Sequence, residues 1–433
     1  MPPALDPDAL ALPVLQDPAC AAYVRELLRT RWTDGHDEDA VARVQARIDA
    51  RTIVFVAVHH GNFPSLEFLA PALRERGHTT LAIYLQGDAH GEGFDHTECC
   101  GGSLSRLAAL LRALPDGTAI YLQAHARWVW LGQLVAAVAP RLRLVQEIWD
   151  WMDQFAPAAR AQDFVDDGVF THAELALMRG AEAWVRDHAY AVVHKHGGRE
   201  QPPWPTGAAA RECRIMPCPP RAWSRPPLRR EPGPWRIVHV GQIKSQHAPV
   251  RAFGDLQLAS LFQRWTRQGL YVSAYPGVAP AADALVDYEA LARRDRAFAL
   301  HRHRSIGELV GALHGAHDYG LLLYPFPREL AVGRAHLRTA LASKLFTYVA
   351  AGLPVLVSPE LAYMAELVER HGIGLVVEAR DHDRLRERLD VVDYPALQRA
   401  VRAAQSEFHI ERFVPALVEL LTACGPVAAE APP

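Results

Sequence analysis

The chain has 433 residues, half of them hydrophobic, and a formal net charge of -3. This length predicts two or three domains with large cores, and the apolar content excludes a disordered protein. The small net charge gives no electrostatic basis for binding nucleic acid. The six cysteines are too few and too irregular for a disulfide framework. The N-terminus lacks a signal peptide pattern, and no run of about 18 apolar residues suggests a transmembrane segment. We therefore expect a cytoplasmic protein, with peripheral membrane contact left open.

Residues 1–50 are predicted to be a helical extension, with helices over 18–32 and 37–50. Residues 51–216 then alternate apolar strands with amphipathic helices, which is the pattern of a parallel sheet covered on both faces. Strands are predicted over 52–58, 78–85, 119–123, 142–150 and 191–196, and helices over 64–76, 104–114 and 181–190. The glycine-rich stretch 91–103 is predicted to be a loop.

Polar residues follow several strands of this first domain. His59, His60, Gly61 and Asn62 come after the first strand, while His125 and Asp150 end two later ones. Ligands of open parallel sheets bind at the carboxyl ends of the strands, so these residues are candidates for a site. A histidine has a suitable pKa for a general base, although each histidine could equally pack or cap its turn.

Residues 217–234 are rich in proline and arginine and are predicted to be a linker. A second domain over 235–405 repeats the pattern, with strands over 235–241, 270–273, 318–324, 353–357 and 373–377. Ser305 and Glu308 form a capping box at the start of one helix. A final helix is predicted over 406–424, and residues 425–433 are expected to be disordered.

The most informative stretch begins at Ser343. Ser343 is expected to cap a helix, and Lys344 follows it. Backbone N–H groups at a helix N-terminus favour an anion, and a hydroxyl and an ammonium add to that preference. The residues suit a phosphate or diphosphate. The alternative, that Lys344 is a solvated surface lysine, stays open on these residues alone.

This stretch resembles a known family. Ser-Lys-Leu-Phe-x-Tyr-x-Ala-Ala-Gly-Leu-Pro-Val, followed by Tyr-Met-Ala-Glu-Leu-Val-x-x-x-Gly-Ile-Gly-Leu-Val-Val, is similar to the C-terminal domain of GT-B glycosyltransferases, especially the group 1-like enzymes of bacterial polysaccharide and natural-product synthesis. The resemblance implies two Rossmann-like domains facing across a cleft, with the donor on the second domain. It implies donor contacts from Gly241, Gln242, Lys244, Ser343, Lys344, Leu345 and Thr347. The acceptor would lie near His59, His60, Gly61, Asn62, His125 and Asp150, and the final helix would cross back to the first domain.

The chain departs from the family pattern at several positions. Gly61 stands alone where the family often has two glycines, and Trp149 precedes Asp150 where a histidine is common. Gln242 and His247 occupy places where the family often has arginine and lysine. Many retaining members carry two glutamates eight positions apart, and here those places hold Thr339 and Thr347. The missing glutamates argue against ordinary retaining transfer.

Metal binding is not expected. The Asp-x-Asp patterns at 6–8, 37–39 and 381–383 lie in a proline-rich tail or at helix starts, where acidic residues are favoured anyway. His-x-His pairs occur at 194/196 and 301/303, without a neighbouring acidic or cysteine cluster in the sequence.

The predicted function is therefore metal-independent transfer of a sugar from a nucleoside diphosphate sugar to a glycan, a lipid-linked sugar or a small molecule, with no cofactor. Two alternatives remain: a non-catalytic sugar-nucleotide-binding scaffold, or a nucleotide-sugar epimerase of related fold.

Overall fold

The computed structural model describes residues 10–33, 37–59, 64–87, 93–199, 210–277, 285–302 and 304–422. Within these ranges the chain forms two sheets, and every strand pairing in both sheets is parallel. Helices cover both sheets, so the predicted α/β class is confirmed. Among the described helices, none combines the length and the hydrophobicity of a membrane-spanning segment.

The first sheet has seven strands in the order β3-β2-β1-β4-β5-β6-β7. Its strands are β1 (Thr52–His59), β2 (Thr79–Gln86), β3 (His96–Cys99), β4 (Ala119–Gln123), β5 (Arg143–Ile148), β6 (Ala191–His194) and β7 (Arg211–Arg214). Successive side chains of a strand point to opposite faces. Phe55 of β1 accordingly joins one core, and Val54 and Val56 join the other.

The helices of this half fill the two cores. They are α1 (Ala21–Arg31), α2 (Glu38–Arg47), α3 (Pro64–Arg74), α4 (Leu104–Ala113), α5 (Leu131–Val138), α6 (Met152–Phe155), α7 (Ala161–Asp166) and α8 (His172–His188). The N-terminal extension packs on this half, since Val24 of α1 and Val44 of α2 are fully buried in the core of the first sheet.

The second sheet has six strands in the order β10-β9-β8-β11-β12-β13. Its strands are β8 (Arg236–Gly241), β9 (Tyr271–Pro276), β10 (Phe298–Leu300), β11 (Tyr319–Leu322), β12 (Val355–Val357) and β13 (Gly374–Val376). The helices are α9 (Val250–Phe253), α10 (Ala259–Arg267), α11 (Val286–Arg294), α12 (Ile306–Leu313), α13 (Arg334–Thr339), α14 (Ser343–Ala350), α15 (Ala362–His371), α16 (Leu385–Asp390), α17 (Tyr394–Ala404) and α18 (Val414–Thr422).

The helix α18 belongs to the core of the first sheet, although it follows the whole second sheet in the chain. Leu417 and Leu421 are buried in the same cluster as Phe55 and Tyr121. The Arg143 guanidinium donates to the Leu421 carbonyl at 3.0 Å.

The segment after β5 links the two halves. The Gly333 N–H donates to the Phe155 carbonyl at 3.0 Å. Arg251, on α9 of the second half, pairs with Asp163 at 3.2 Å and Asp167 at 2.5 Å on the first half. These contacts fix α6 and α7 against α9 and α13.

Three local predictions were wrong. Residues 91–103 are not all loop, because His96–Cys99 pair with β2 as an edge strand. The predicted final helix over 406–424 does not begin at 406, because a 3-10 turn over Ile410–Arg412 precedes α18. Ser343 is not the N-cap of α14. Ala342 holds that place, and Ser343 is already helical, so its hydroxyl makes no capping bond.

Candidate active site

A cavity of about 820 Å³ lies between the two sheets. Residues from the carboxyl ends of strands in both sheets line it: Asp150 after β5, Lys195 after β6, Gly241 at the end of β8, Pro276 at the end of β9 and Tyr324 after β11. This edge is where open parallel sheets bind ligands, and here two such edges share one cleft.

The second domain contributes the start of α14 to the cavity. Ser343 and Lys344 line it, together with Thr347 one turn later. The Lys344 ammonium donates to the Tyr324 hydroxyl at 2.9 Å and lies 5.5 Å from the centre of that ring. The lysine is therefore held over the cavity by Tyr324, next to the N–H groups of the first helical turn.

Gly241 makes room for this lysine. Its φ is 104°, in the region that favours glycine. A Cβ at this position would lie 3.0 Å from the Lys344 Nζ. A side chain at 241 would push the ammonium out of its place, so the glycine at the end of β8 and the lysine of α14 form one unit.

Burial shapes the charge of this unit. It lowers the pKa of Lys344 to about 8, and the nearby Asp255 carboxylate opposes the shift. Burial also raises the pKa of Asp255 to about 6, against the effects of its own backbone and of Lys344. An anionic ligand would return charge to Lys344 and raise its pKa again.

The first domain contributes a second lysine. The Lys195 ammonium lies 3.1 Å from an Asp150 carboxylate oxygen and 4.2 Å from the centre of the Trp149 ring. Burial lowers the pKa of Lys195, and Asp150 opposes this. For Asp150, burial alone would raise the pKa, but Lys195 and two nearby histidines bring it below its usual range. Each group of the pair thus stabilises the charged form of the other.

The turn that carries Asp150 is held from two sides. Both carboxylate oxygens of Glu182 accept from the Met152 N–H, at 2.9 and 3.1 Å. His196 Nε2 donates to the Trp149 carbonyl at 3.1 Å, and its Nδ1 faces the Thr339 hydroxyl at 3.1 Å. Since Thr339 lies on α13, His196 also joins the two domains.

The structure separates the residues predicted for the donor. Gly241, Gln242, Ser343, Lys344 and Thr347 line the cavity. The Leu345 side chain is fully buried in the second core, and the Lys244 ammonium lies over the Phe253 ring at 4.8 Å, away from the cavity lining.

The residues predicted for catalysis are also divided. Asp150 lines the cavity, whereas His59 and His125 do not. His125 is still close enough to Asp150 for the two groups to interact electrostatically. Burial lowers its pKa to about 4, with Asp150 opposing. Burial also lowers the pKa of His59, as does Arg31. His60, Gly61 and Asn62 lie outside the described residues.

Lys195 and His336 are among the cavity residues that sequence reasoning missed. Lys195 directly follows β6, so the rule that singled out Asp150 applied to it as well. A second signal was its rarity, because Lys195, Lys244 and Lys344 are the only lysines of the chain, whose cations are otherwise arginines. No acidic cluster lies near His196 along the chain, but the fold brings Asp150 and His336 to it.

Two parallel α/β sheets whose carboxyl edges share one cleft, with a late helix returning to the first sheet, are the GT-B glycosyltransferase fold. The fold expected from the sequence resemblance is thereby confirmed.

Solved structures agree with this assignment. The α,α-trehalose 6-phosphate synthase of Burkholderia multivorans matches with a TM-score of 0.54 and 11% identity, over 86% of this chain and 98% of that one. The N-terminal domain of Candida albicans trehalose-6-phosphate phosphatase matches with a TM-score of 0.53 and 10% identity, over 88% of this chain and 98% of that one. Medicago truncatula UGT71G1, solved in complex with UDP-glucose, matches with a TM-score of 0.50 and 10% identity, over 88% of this chain and 100% of that one. No family model matches the chain, and no curated protein matches it.

Proposed function

We propose that this protein is a glycosyltransferase that moves a sugar from a nucleoside diphosphate sugar to an acceptor hydroxyl. The observation that carries the proposal is the Lys344 ammonium, held by Tyr324 at the start of α14 inside a cleft between two domains. A lysine beside the N–H groups of a first helical turn is suited to a diphosphate. The UDP-glucose bound by the Medicago protein supports the same class of donor.

The donor diphosphate would lie on Lys344, the Ser343 hydroxyl and the first turn of α14. As the bond between the sugar and the diphosphate breaks, negative charge grows on the diphosphate, and these groups stabilise it in place of a metal ion. The acceptor would lie on the other wall, where Trp149, Asp150 and Lys195 face the cavity. Trp149 offers an apolar face, and the ion pair offers hydrogen bonds to hydroxyl groups.

A screen of nucleoside diphosphate sugars by thermal shift tests the proposal first. A donor at 100 times its dissociation constant should stabilise the protein by about 2.7 kcal/mol. Turnover with an acceptor panel then separates the transferase from the two alternatives. Binding without turnover on any acceptor would favour a scaffold, and conversion of donor without acceptor would favour an epimerase.

A further inference from the structure

His336 is the one histidine of the described residues that lines the cavity. It comes from α13 of the second domain, yet it reaches the Asp150 turn of the first. One ring nitrogen of His336, one of His196 and one carboxylate oxygen of Asp150 lie within 4.8 Å of one another. The cavity therefore places an imidazole from one domain beside a carboxylate from the other.

The ring of His336 is held in place by packing rather than by hydrogen bonds. The Phe155 ring packs edge-on against it at 5.2 Å between centres, and the His196 ring lies at 6.0 Å. Its Nδ1 is buried and makes no hydrogen bond to any described residue. His336 therefore keeps a ring nitrogen that no described side chain occupies, in a ring that lies beside the Asp150 carboxylate.

We propose that His336, held beside Asp150, is the general base that accepts the proton of the acceptor hydroxyl. This inference rests on the proposed glycosyltransferase function. In the step, the acceptor O–H bond breaks and its proton moves to the imidazole, while the acceptor oxygen forms a bond to the anomeric carbon. The bond from that carbon to the diphosphate oxygen breaks, and its electron pair leaves with the diphosphate. Attack opposite the leaving group inverts the anomeric configuration.

The other groups around His336 fit this role. His196 has both ring nitrogens occupied, by the Trp149 carbonyl and the Thr339 hydroxyl, so it is not available for a substrate. Burial lowers the pKa of His336, Asp150 opposes this and Lys195 adds to it. The imidazole is therefore neutral at pH 7, which is the form a base needs, and Asp150 stabilises the imidazolium that forms.

The same three side chains also have the spacing of metal ligands. Lys195 decides against a divalent cation here, because its ammonium is already the counter-ion of Asp150 at 3.1 Å. A metal ion would bring two further positive charges beside that ammonium in a poorly solvated site, whereas the imidazolium of the proposed step is transient and carries only one.

The central experiment compares His336→Gln with His371→Gln, a control on the same domain whose ring packs edge-on against Phe408 and does not line the cavity. His336→Gln should lower kcat roughly 100- to 10 000-fold, with little change in nucleoside diphosphate binding. His371→Gln should stay near wild type. If the wild type is active and His336→Gln has the same kcat, the base assignment is wrong, while the proposed glycosyltransferase function is unaffected.

Three further readouts separate a base from a structural role. The wild-type kcat/KM should rise with pH along a limb below 6.5, and His336→Gln should lose that limb. Added imidazole should restore part of the activity of His336→Gly. Proton NMR of the product should show inverted anomeric configuration. Three outcomes would show that another residue is the base. They are a product with retained anomeric configuration, no recovery of activity with imidazole, or a larger loss of kcat in His59→Ala or His60→Ala than in His336→Gln.

The metal interpretation is tested in parallel on the full-length protein. Wild type dialysed against a chelator should keep its activity and carry no stoichiometric zinc or manganese. A bound ion that His336→Gln releases would overturn the base assignment. If the wild type transfers sugar from no donor in the panel, the proposed function is wrong, and the assignment of His336 as its general base is wrong as well.

Discussion

Replacing Lys344 by methionine tests the donor site directly. The substitution keeps helix propensity and most of the side-chain stem, so α14 should form as before. An ammonium has three donors, and Tyr324 takes one of those of Lys344. Two donors remain for a ligand in the cavity that Lys344 lines. One charge-assisted hydrogen bond to a phosphate oxygen contributes roughly 1.5–3 kcal/mol, a 10- to 150-fold change in affinity.

Isothermal titration of Lys344→Met with a nucleoside diphosphate and with the bare nucleoside measures this. The diphosphate should bind 10- to 150-fold more weakly, while the nucleoside, which has no phosphate to lose, should change little. Lys244→Met is the comparison, since Lys244 lies off the cavity, and its effect should be much smaller. Equal losses for both ligands would indicate local damage, and no loss for either would refute the diphosphate site.

The pKa of Lys344 adds a pH test. Because burial lowers it to about 8, the free protein loses this ammonium well before an ordinary lysine would. Diphosphate affinity of the wild type should therefore fall as pH rises from 7 to 9. The same titration should be nearly flat for Lys344→Met. A wild-type affinity that does not respond to pH would mean that the ammonium does not bind the phosphate.

Three other predictions concern metal dependence, packing and acid stability. A chelator at saturating donor should leave turnover unchanged, and complete loss restored by magnesium or manganese would contradict this. Gly333→Ala should destabilise the protein by about 1–3 kcal/mol in urea unfolding, because its Cβ would lie 2.0 Å from the Gln154 carbonyl oxygen. Gly311→Ala, on a helix with no atom near its Cβ, should be neutral or stabilising, and an equal loss in both would disprove the contact argument. His196 and His317 are buried with pKa values lowered to about 3, mainly by burial. Since the unfolded chain protonates them near pH 6.5 and the folded protein does not, these two histidines together should contribute a fall of roughly 3 kcal/mol in unfolding free energy between pH 7.5 and 5.5, and a wild-type profile no steeper than that of a variant with both replaced by glutamine would contradict it.

The fold was predictable because its signals are local. Neighbouring residues alone were enough to predict the strands β1 and β8 from their apolar runs. They were also enough to predict that Gly352, which has a φ of 81°, ends α14. The short edge strands β3, β7 and β10 were missed, because β3 and β7 consist mostly of polar residues and β10 is only three residues long, so none of them makes a distinct apolar run. Ser343 looked like a cap because cap preference is a statistical property of residue types, while the actual boundary depends on where the preceding loop enters the helix.

The site was predictable only in part. Lys344 could be found because a helix start, a lysine and a preceding strand coincide in one stretch. The addition of His336 to the pair of Asp150 and Lys195 could not, because His336 belongs to the other domain and meets the pair only when the two domains are set against each other. The position of a polar residue at a strand end identifies it as a candidate site residue. Which of these candidates share one cavity depends on how the two sheets are placed relative to each other.

The position of α18 has a consequence during synthesis. The strands of the first sheet are complete by Arg214, but the side chains of Leu417 and Leu421 that close one of its faces emerge about 200 residues later. At 5–20 residues per second, that face waits between about 10 and 40 s on the ribosome. During this interval Phe55 and its neighbours depend on a partner other than α18 to shield them from water. Ribosome-bound chains that stop before residue 414 should therefore recruit chaperones, and chains released from the ribosome with α18 should let them go.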